Sequence, residues 1–329
     1  MNIGALIIRG FSNRCINTII HDLKNFSLGG VIFFKSNFIK EDEPIPFYFS
    51  YEETQEYLKR FPSQAFLSID CEGKNVNRFN HLFELKKTED LKTLSKSEML
   101  FYVKQKAKLL KNLGINVNFA PCVDKFYPKS FIGQRSFSGN VDELIGLASL
   151  YLEEFSKESI YTCLKHFPGH GSASSESDSH EDIFYLDKYV EDEIRPFLEL
   201  EAPFLMTAHI KTPLNPNEIA TFSKDCIEKY LRNYKGLIIT DDLHMGALLE
   251  FSLKERVLKS LQSGHDILLF SQQDFASQGR FRKKYPEEFE DNLHNQIIEI
   301  IEKALKKGTL SKESIELKIE KIKKLRSKL

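Results

Sequence analysis

The chain has 329 residues, 41% of them hydrophobic, enough to bury a large core. Its 46 basic and 47 acidic side chains leave a formal net charge of −1, which offers no footprint for nucleic acid or an anionic membrane. The five cysteines are odd in number, far apart and never form CxxC, so neither a disulfide framework nor a cysteine-rich metal site is expected.

The N-terminal stretch "MNIGALIIRGFSNR" lacks a basic region followed by a long apolar one, and no apolar run approaches the roughly 20 residues that a bilayer span needs. A cytoplasmic protein is expected, in line with the cysteine pattern. Short β-rich apolar runs then recur at Ala5–Ile8, Gly30–Phe34, Ala65–Asp70, Val117–Ala120, Thr162–His166, Phe204–Ala208, Leu237–Thr240 and Ile267–Phe270. Each is too short for a helix and continuously apolar, as buried parallel strands are.

Helical patterns lie between most of them. "SKSE" at Ser95–Glu98 offers a capping box, Val103, Ala107 and Leu110 mark one face, and Gly114 supplies a stop. A second pattern, "SLKERVLKSLQSG", ends at Gly264. The basic C-terminal stretch carries Ile315, Ile319, Ile322 and Leu329 at helical spacing, so a packed terminal helix is expected there. Eight strands alternating with helices predict a single (β/α)8 TIM-type barrel, one catalytic domain over residues 1–329 with a C-terminal helix. A doubly wound open sheet is the alternative.

Polar residues gather just past the predicted strand ends: "SIDCEG" after the third, "FAPCVD" after the fourth, "LKHFPGHG" at the fifth, "MTAHI" at the sixth and "IITDD" at the seventh. A barrel builds its site from those loops. In "KHFPGHGSASSESDSH", His166, His170, Asp178 and His180 are of types that bind zinc. However, Pro168 and Gly169 deny the first two histidines a shared helical face, so no metal is expected. Asp178, two residues before His180, has the spacing to orient that imidazole as a general acid/base on a polar loop; an incidental histidine fits the spacing equally well. Asp241 and Asp242 end a buried strand. One aimed into the barrel mouth suits a nucleophile, and the other, or both, suits the N-cap of a helix starting near Leu243. Lys165 and His166 end strand five together, with Asp70 and Asp124 as candidate neighbours and Arg135 as a donor fork. Such a set suits an array of sugar hydroxyls.

Taken together, "KHFPGHG…DSH", "IITDDLHM", "IGQRSFS", "NFAPCVD", "MTAH" and "SIDCEG" resemble the family 3 glycoside hydrolases. More narrowly, they resemble the bacterial single-domain β-N-acetylglucosaminidases of peptidoglycan recycling. The resemblance implies a barrel that removes terminal β-linked N-acetylglucosamine with retention. It implies Asp241 as nucleophile, His180 as acid/base and Asp178 as its orienting partner. Asp70, Arg135, Lys165, His166 and His209 match positions that hold the sugar or shape its pocket, and Asp124 falls on a further motif position. It also implies no cofactor and a small saccharide or muropeptide as partner; the charge balance speaks against membrane or nucleic acid, and the oligomeric state is open, with a monomer favoured. The chain departs from the pattern in a longer Gly171–Asp178 loop, in "EGKNVNR" at Glu72–Arg78, in His244, and in a shortened "LRNYKG". Alternatives to hydrolysis are phosphorolysis on the same residues, a metal-dependent hydrolase, and a sugar-binding relative without turnover.

Overall fold

Continuously apolar strands must be covered on both faces, and in the computed structural model all eight form one parallel sheet wrapped by helices. Described are all residues except 26, 41–46, 128–129, 131, 173–183, 186–190, 213–214 and 273–278. The strands are β1 (Ile7–Arg9), β2 (Gly30–Phe33), β3 (Phe66–Ile69), β4 (Val117–Asn118), β5 (Tyr161–Phe167), β6 (Phe204–Thr207), β7 (Leu237–Thr240) and β8 (Leu268–Phe270). Neighbours in sequence are neighbours in space from β1 to β7, and β8 returns to β1 with Ile7 opposite Leu268. A parallel bridge from Ile239 to Ile267 joins β7 to the residue before β8. The sheet thus closes on itself as a (β/α)8 barrel, and the open-sheet alternative falls.

Helices α1 (Ile16–Lys24), α2 (Tyr51–Leu58), α3 (Lys96–Leu113), α4 (Val141–Lys157), α5 (Glu191–Glu199), α6 (Lys224–Leu231), α7 (Leu253–Ser263) and α8 (Leu293–Lys306) follow the strands in turn. The α3 signals act as read. Ser95 Oγ accepts from Glu98 N, Ser95 N donates to Glu98 Oε2 at 2.8 Å, and Gly114 ends the helix at φ 96°. Inside the barrel, Phe204 packs edge-on against Phe66 and Phe119, with ring centroids 5.2 and 6.4 Å away. Burial of each such ring contributes about 1.5–3 kcal/mol. The last helix, α9 (Lys312–Arg326), buries Ile315, Ile319 and Ile322 as expected. It also ties the barrel floor together: Lys318 Nζ donates to Gly264 O at 2.9 Å and Arg326 Nε to Gln64 O at 2.6 Å.

Three expectations are corrected. β1 begins at Ile7 because Ile3–Leu6 form a 3-10 turn. β4 stops at Asn118, whose side chain takes over the strand's pairing: its Oδ1 accepts from Cys71 N and its Nδ2 donates to Cys71 O, both at 3.0 Å. No helix starts at Leu243. Asp242 does accept from His244 N, but only a 3-10 turn follows at Gly246–Leu248, and α7 begins ten residues after Leu243 under a Ser252–Glu255 capping box. All five cysteines are unpaired and buried. Among the described residues, no helix is long and apolar enough to cross a membrane.

Candidate active site

At the C-terminal ends of the strands a cavity of about 430 Å³ opens, with Asp70, Arg135, Lys165, His166 and Asp241 on its wall. Segments far apart in sequence therefore meet, as the strand-end argument predicts. Asp178 and His180 lie outside the described residues.

The β3–β5 side is an ion-paired array. Past β3, a tight ribbon (Cys71–Gly73 paired with Val76–Asn77) turns Glu72 inward. Its carboxylate takes both Arg135 Nε at 2.9 Å and Arg135 Nη2 at 2.6 Å, and also Lys165 Nζ at 2.6 Å. Lys165 reaches Asp70 as well, at 2.9 Å, while Arg78 approaches the far oxygen of Asp70 at 3.4 Å. The side chains of Lys165 and Glu72 are 2% and 1% exposed, so these charges survive burial only because they face one another. Burial alone would push Glu72 up; the Arg135 and Lys165 charges reverse this and hold it well below the usual carboxylate range. Burial likewise opposes the charge on Lys165, and Asp70 and Glu72 override it upward.

One expected partner is corrected here. Asp124 does not meet Lys165; it is fully buried behind His166. Its Oδ2 lies 2.6 Å from His166 Nδ1, and its carboxylate also accepts from the backbone N–H groups of His166 and His170. Against the penalty of burial, His166 leads in lowering Asp124 to about 2. With Asp124 on its Nδ1 side, His166 turns Nε2 toward the cavity, where Arg135 Nη2 stands 3.4 Å away. Arg135, expected as a fixed donor fork near Lys165, spends that fork on Glu72. Glu72 lies in the stretch that departs from the family pattern, and its place two residues beyond Asp70 is the sequence signal that points to it. Gly169 then turns the chain at φ 121°, where a Cβ would sit 2.7 Å from Glu193.

The β7–β8 side is built from hydrogen bonds. Asp241 ends β7, opens on the cavity and accepts from Asp242 N at 2.7 Å. Burial would raise it, but His166, then His209, the Asp242 N–H and Lys165 hold it below the usual range, so it is ionised at neutral pH. Asp242 accepts from Ser271 N at 2.8 Å, Ser271 Oγ at 2.5 Å and His244 N at 3.1 Å. His209 is absent from the cavity wall: its ring nitrogens meet Thr221 Oγ1 at 2.8 Å and the Asp242 carbonyl at 2.9 Å. It supports the loop under Asp241 instead of facing a sugar.

Among the described residues, one cluster has the elements of a metal site: Cys122, Asp124 and His166, with ligand atoms within 4.8 Å of one another. Its chemistry is that of a hydrogen-bonded network. Burial pushes the Cys122 thiol well above its ordinary value, its Sγ donates to Asp124 at 3.2 Å, and Asp124 is already saturated by donors.

Residues 3–325 match the model of the glycosyl hydrolase family 3 N-terminal domain. The β-hexosaminidase of Haemophilus influenzae is 30% identical over 264 residues, covering 74% of this chain and 72% of that protein. The β-hexosaminidase of Idiomarina loihiensis is 29% identical over 266 residues, covering 74% and 76%. In three dimensions the chain is similar to a family 3 β-N-acetylglucosaminidase from a Paenibacillus species, with a TM-score of 0.79 and 23% identity over 99% of this chain and 62% of that one. A family 3 member from Mycobacterium smegmatis gives a TM-score of 0.77 at 22% identity, covering 98% and 95%.

Proposed function

The chain belongs to glycosyl hydrolase family 3 and is a glycoside hydrolase, and we propose that it is a retaining exo-β-N-acetylglucosaminidase acting on peptidoglycan fragments in the cytoplasm. The observation that carries the reading is Asp241: a carboxylate at a strand end, open to the cavity and held ionised by the charges around it. The β-hexosaminidase names of the relatives support the choice of an acetamido sugar. The unpaired cysteines fit a reducing compartment.

In the proposed cycle, Asp241 attacks the anomeric carbon while His180 gives a proton to the departing glycosidic oxygen, leaving a glycosyl-enzyme ester. His180 then takes a proton from water, whose oxygen attacks the same carbon and frees Asp241; two inversions give net retention. Asp178 would accept from His180 and fix its tautomer. The Asp70–Lys165–Glu72–Arg135 array would set the sugar's orientation, with Asp70 offering an acceptor and His166 Nε2 a polar contact to its hydroxyls. We read residues 1–329 as one catalytic domain that acts as a monomer, without metal or cofactor.

Release of p-nitrophenol from its β-N-acetylglucosaminide, against the β-glucoside, tests this in wild type and Asp241→Ala. Turnover selective for the acetamido sugar and lost in Asp241→Ala is expected. Equal turnover of the glucoside would overturn the substrate class, and full activity of Asp241→Ala would overturn the nucleophile. A sugar 1-phosphate formed in phosphate buffer would replace hydrolysis with phosphorolysis.

A further inference from the structure

Behind Asp241 lies a buried polar assembly that no step of the proposed hydrolysis uses. The Glu288 carboxylate receives Arg256 Nη2 at 2.5 Å and meets His244 Nε2 at 3.1 Å, with all three side chains at most 1% exposed. Gln272 N donates to His244 Nδ1 at 3.2 Å, which puts the ring's proton on Nε2, where it is donated to Glu288. His244 stacks on Phe289 with ring centroids 5.0 Å apart, and Arg256 lies over the Phe281 ring.

This assembly grips the loop after β7 from behind. Arg256 Nη1 donates to Leu243 O at 2.8 Å, His244 N donates to Asp242 Oδ1, and Asp242 N donates to Asp241 Oδ1. The neighbouring turn is fastened at two adjacent points, Ser271 on Asp242 and Gln272 on His244. Gln272 sits in left-handed backbone at φ 52°, a conformation that non-glycine residues keep only where their surroundings over-determine it. Those surroundings are visible: its side-chain amide donates to Glu288 O and Glu290 O, both at 3.0 Å, and accepts from the Arg9 guanidinium. A buried, charge-balanced assembly of this kind is costly to desolvate, and well-packed apolar residues would stabilise such a place at least as well. Its distinctive product is a fixed geometry for Asp242 and, through it, for Asp241.

We propose that His244, Glu288 and Arg256 are positioning residues, a clamp that holds the Leu243–His244 segment so that Asp242 presents its N–H to Asp241 and Asp241 stays aimed at the anomeric carbon. The proposal rests on the reading of Asp241 as nucleophile. Misplacement of a reacting group by about 1 Å costs on the order of 10²-fold in rate.

The test compares His244→Leu, which removes both ring contacts, with His244→Gln, whose amide can accept from Gln272 N and donate to Glu288. Both are read for kcat and KM on p-nitrophenyl β-N-acetylglucosaminide and for melting temperature, beside wild type and Asp241→Ala. The expected result is a kcat lowered roughly 10- to 100-fold in His244→Leu with KM within about threefold of wild type, and recovery of most of that kcat in His244→Gln. If His244→Leu does not fold, Glu288→Gln is read in the same way, since it keeps the shape and weakens the grip on Arg256 and His244. A lowered melting temperature with wild-type kcat, or equal losses in His244→Leu and His244→Gln, overturns the clamp. Full turnover by Asp241→Ala instead overturns the nucleophile reading, so the two failures are distinguishable.

Discussion

The two halves of the barrel mouth hold their carboxylates in opposite ways. On the β3–β5 half, Glu72 is locked between Arg135 and Lys165, and Asp124 is wrapped by His166 and two backbone N–H groups. On the β7–β8 half, Asp241 accepts one hydrogen bond from the chain among the described residues and otherwise faces open space. The first arrangement satisfies charge completely and so makes a rigid wall. The second keeps charge under-satisfied, which is what a group that must form and break a covalent bond requires. One half is tuned for persistence and the other for reaction.

The largest expected effect breaks the reactive half. Asp241→Asn should lower kcat by on the order of 10⁴-fold in the p-nitrophenyl assay. It should lower the urea midpoint only slightly: the charges around Asp241 favour its ionised form, but it accepts a single hydrogen bond. A clear loss of stability would mean that Asp241 belongs with the wall.

Glu72→Gln breaks the other half and should have the opposite signature. It leaves Arg135 and Lys165 buried without their shared counter-charge, so unfolding in urea should show a loss of about 3–5 kcal/mol. A change below about 1 kcal/mol would show that Asp70 alone satisfies Lys165.

Acid sharpens the same contrast. Asp124 is held at about 2 in the folded chain, against about 3.9 for a free aspartate. Its stabilising contribution, on the order of 2–3 kcal/mol, is therefore complete above the unfolded value and drains away as pH falls from about 4 through 2. Glu72, also lowered, loses its contribution in the same direction. Urea midpoints measured across that window should fall steeply in wild type and more gently in Asp124→Asn; identical slopes would contradict the assignment.

The smallest effect marks where the comparison ends. Ser252→Ala removes the α7 cap, which does not line the cavity, and should reduce stability by about 1 kcal/mol with a change in kcat of less than about threefold.

The barrel itself is legible in the chain, since eight apolar runs at regular intervals leave few other ways to bury them. What escapes is local competition for hydrogen bonds. Asp242 looks like the cap of a helix at Leu243 and does accept from His244 N, but Ser271, distant in sequence, binds the same carboxylate, and the next helix is capped by Ser252. The strand-end residues Asp70, Arg135, Lys165, His166 and Asp241 do converge, but which carboxylate meets which cation depends on a few ångströms of loop path. Asp124 was assigned to the neighbourhood of Lys165 and binds His166; Glu72, in an unusual turn, holds the centre of the array. Residue type announces that charges must pair, while only the fold decides the couples.

The terminal helix α9 also sets a schedule. It packs on the 3-10 turn at Ile3–Leu6, reaches Gln64 ahead of β3, and binds Gly264 and Asp266 ahead of β8. During synthesis the Ile3–Leu6 turn thus waits for partners roughly 300 residues downstream. At about 5–20 residues per second, this leaves that apolar turn without its final cover for roughly 15–60 s of synthesis.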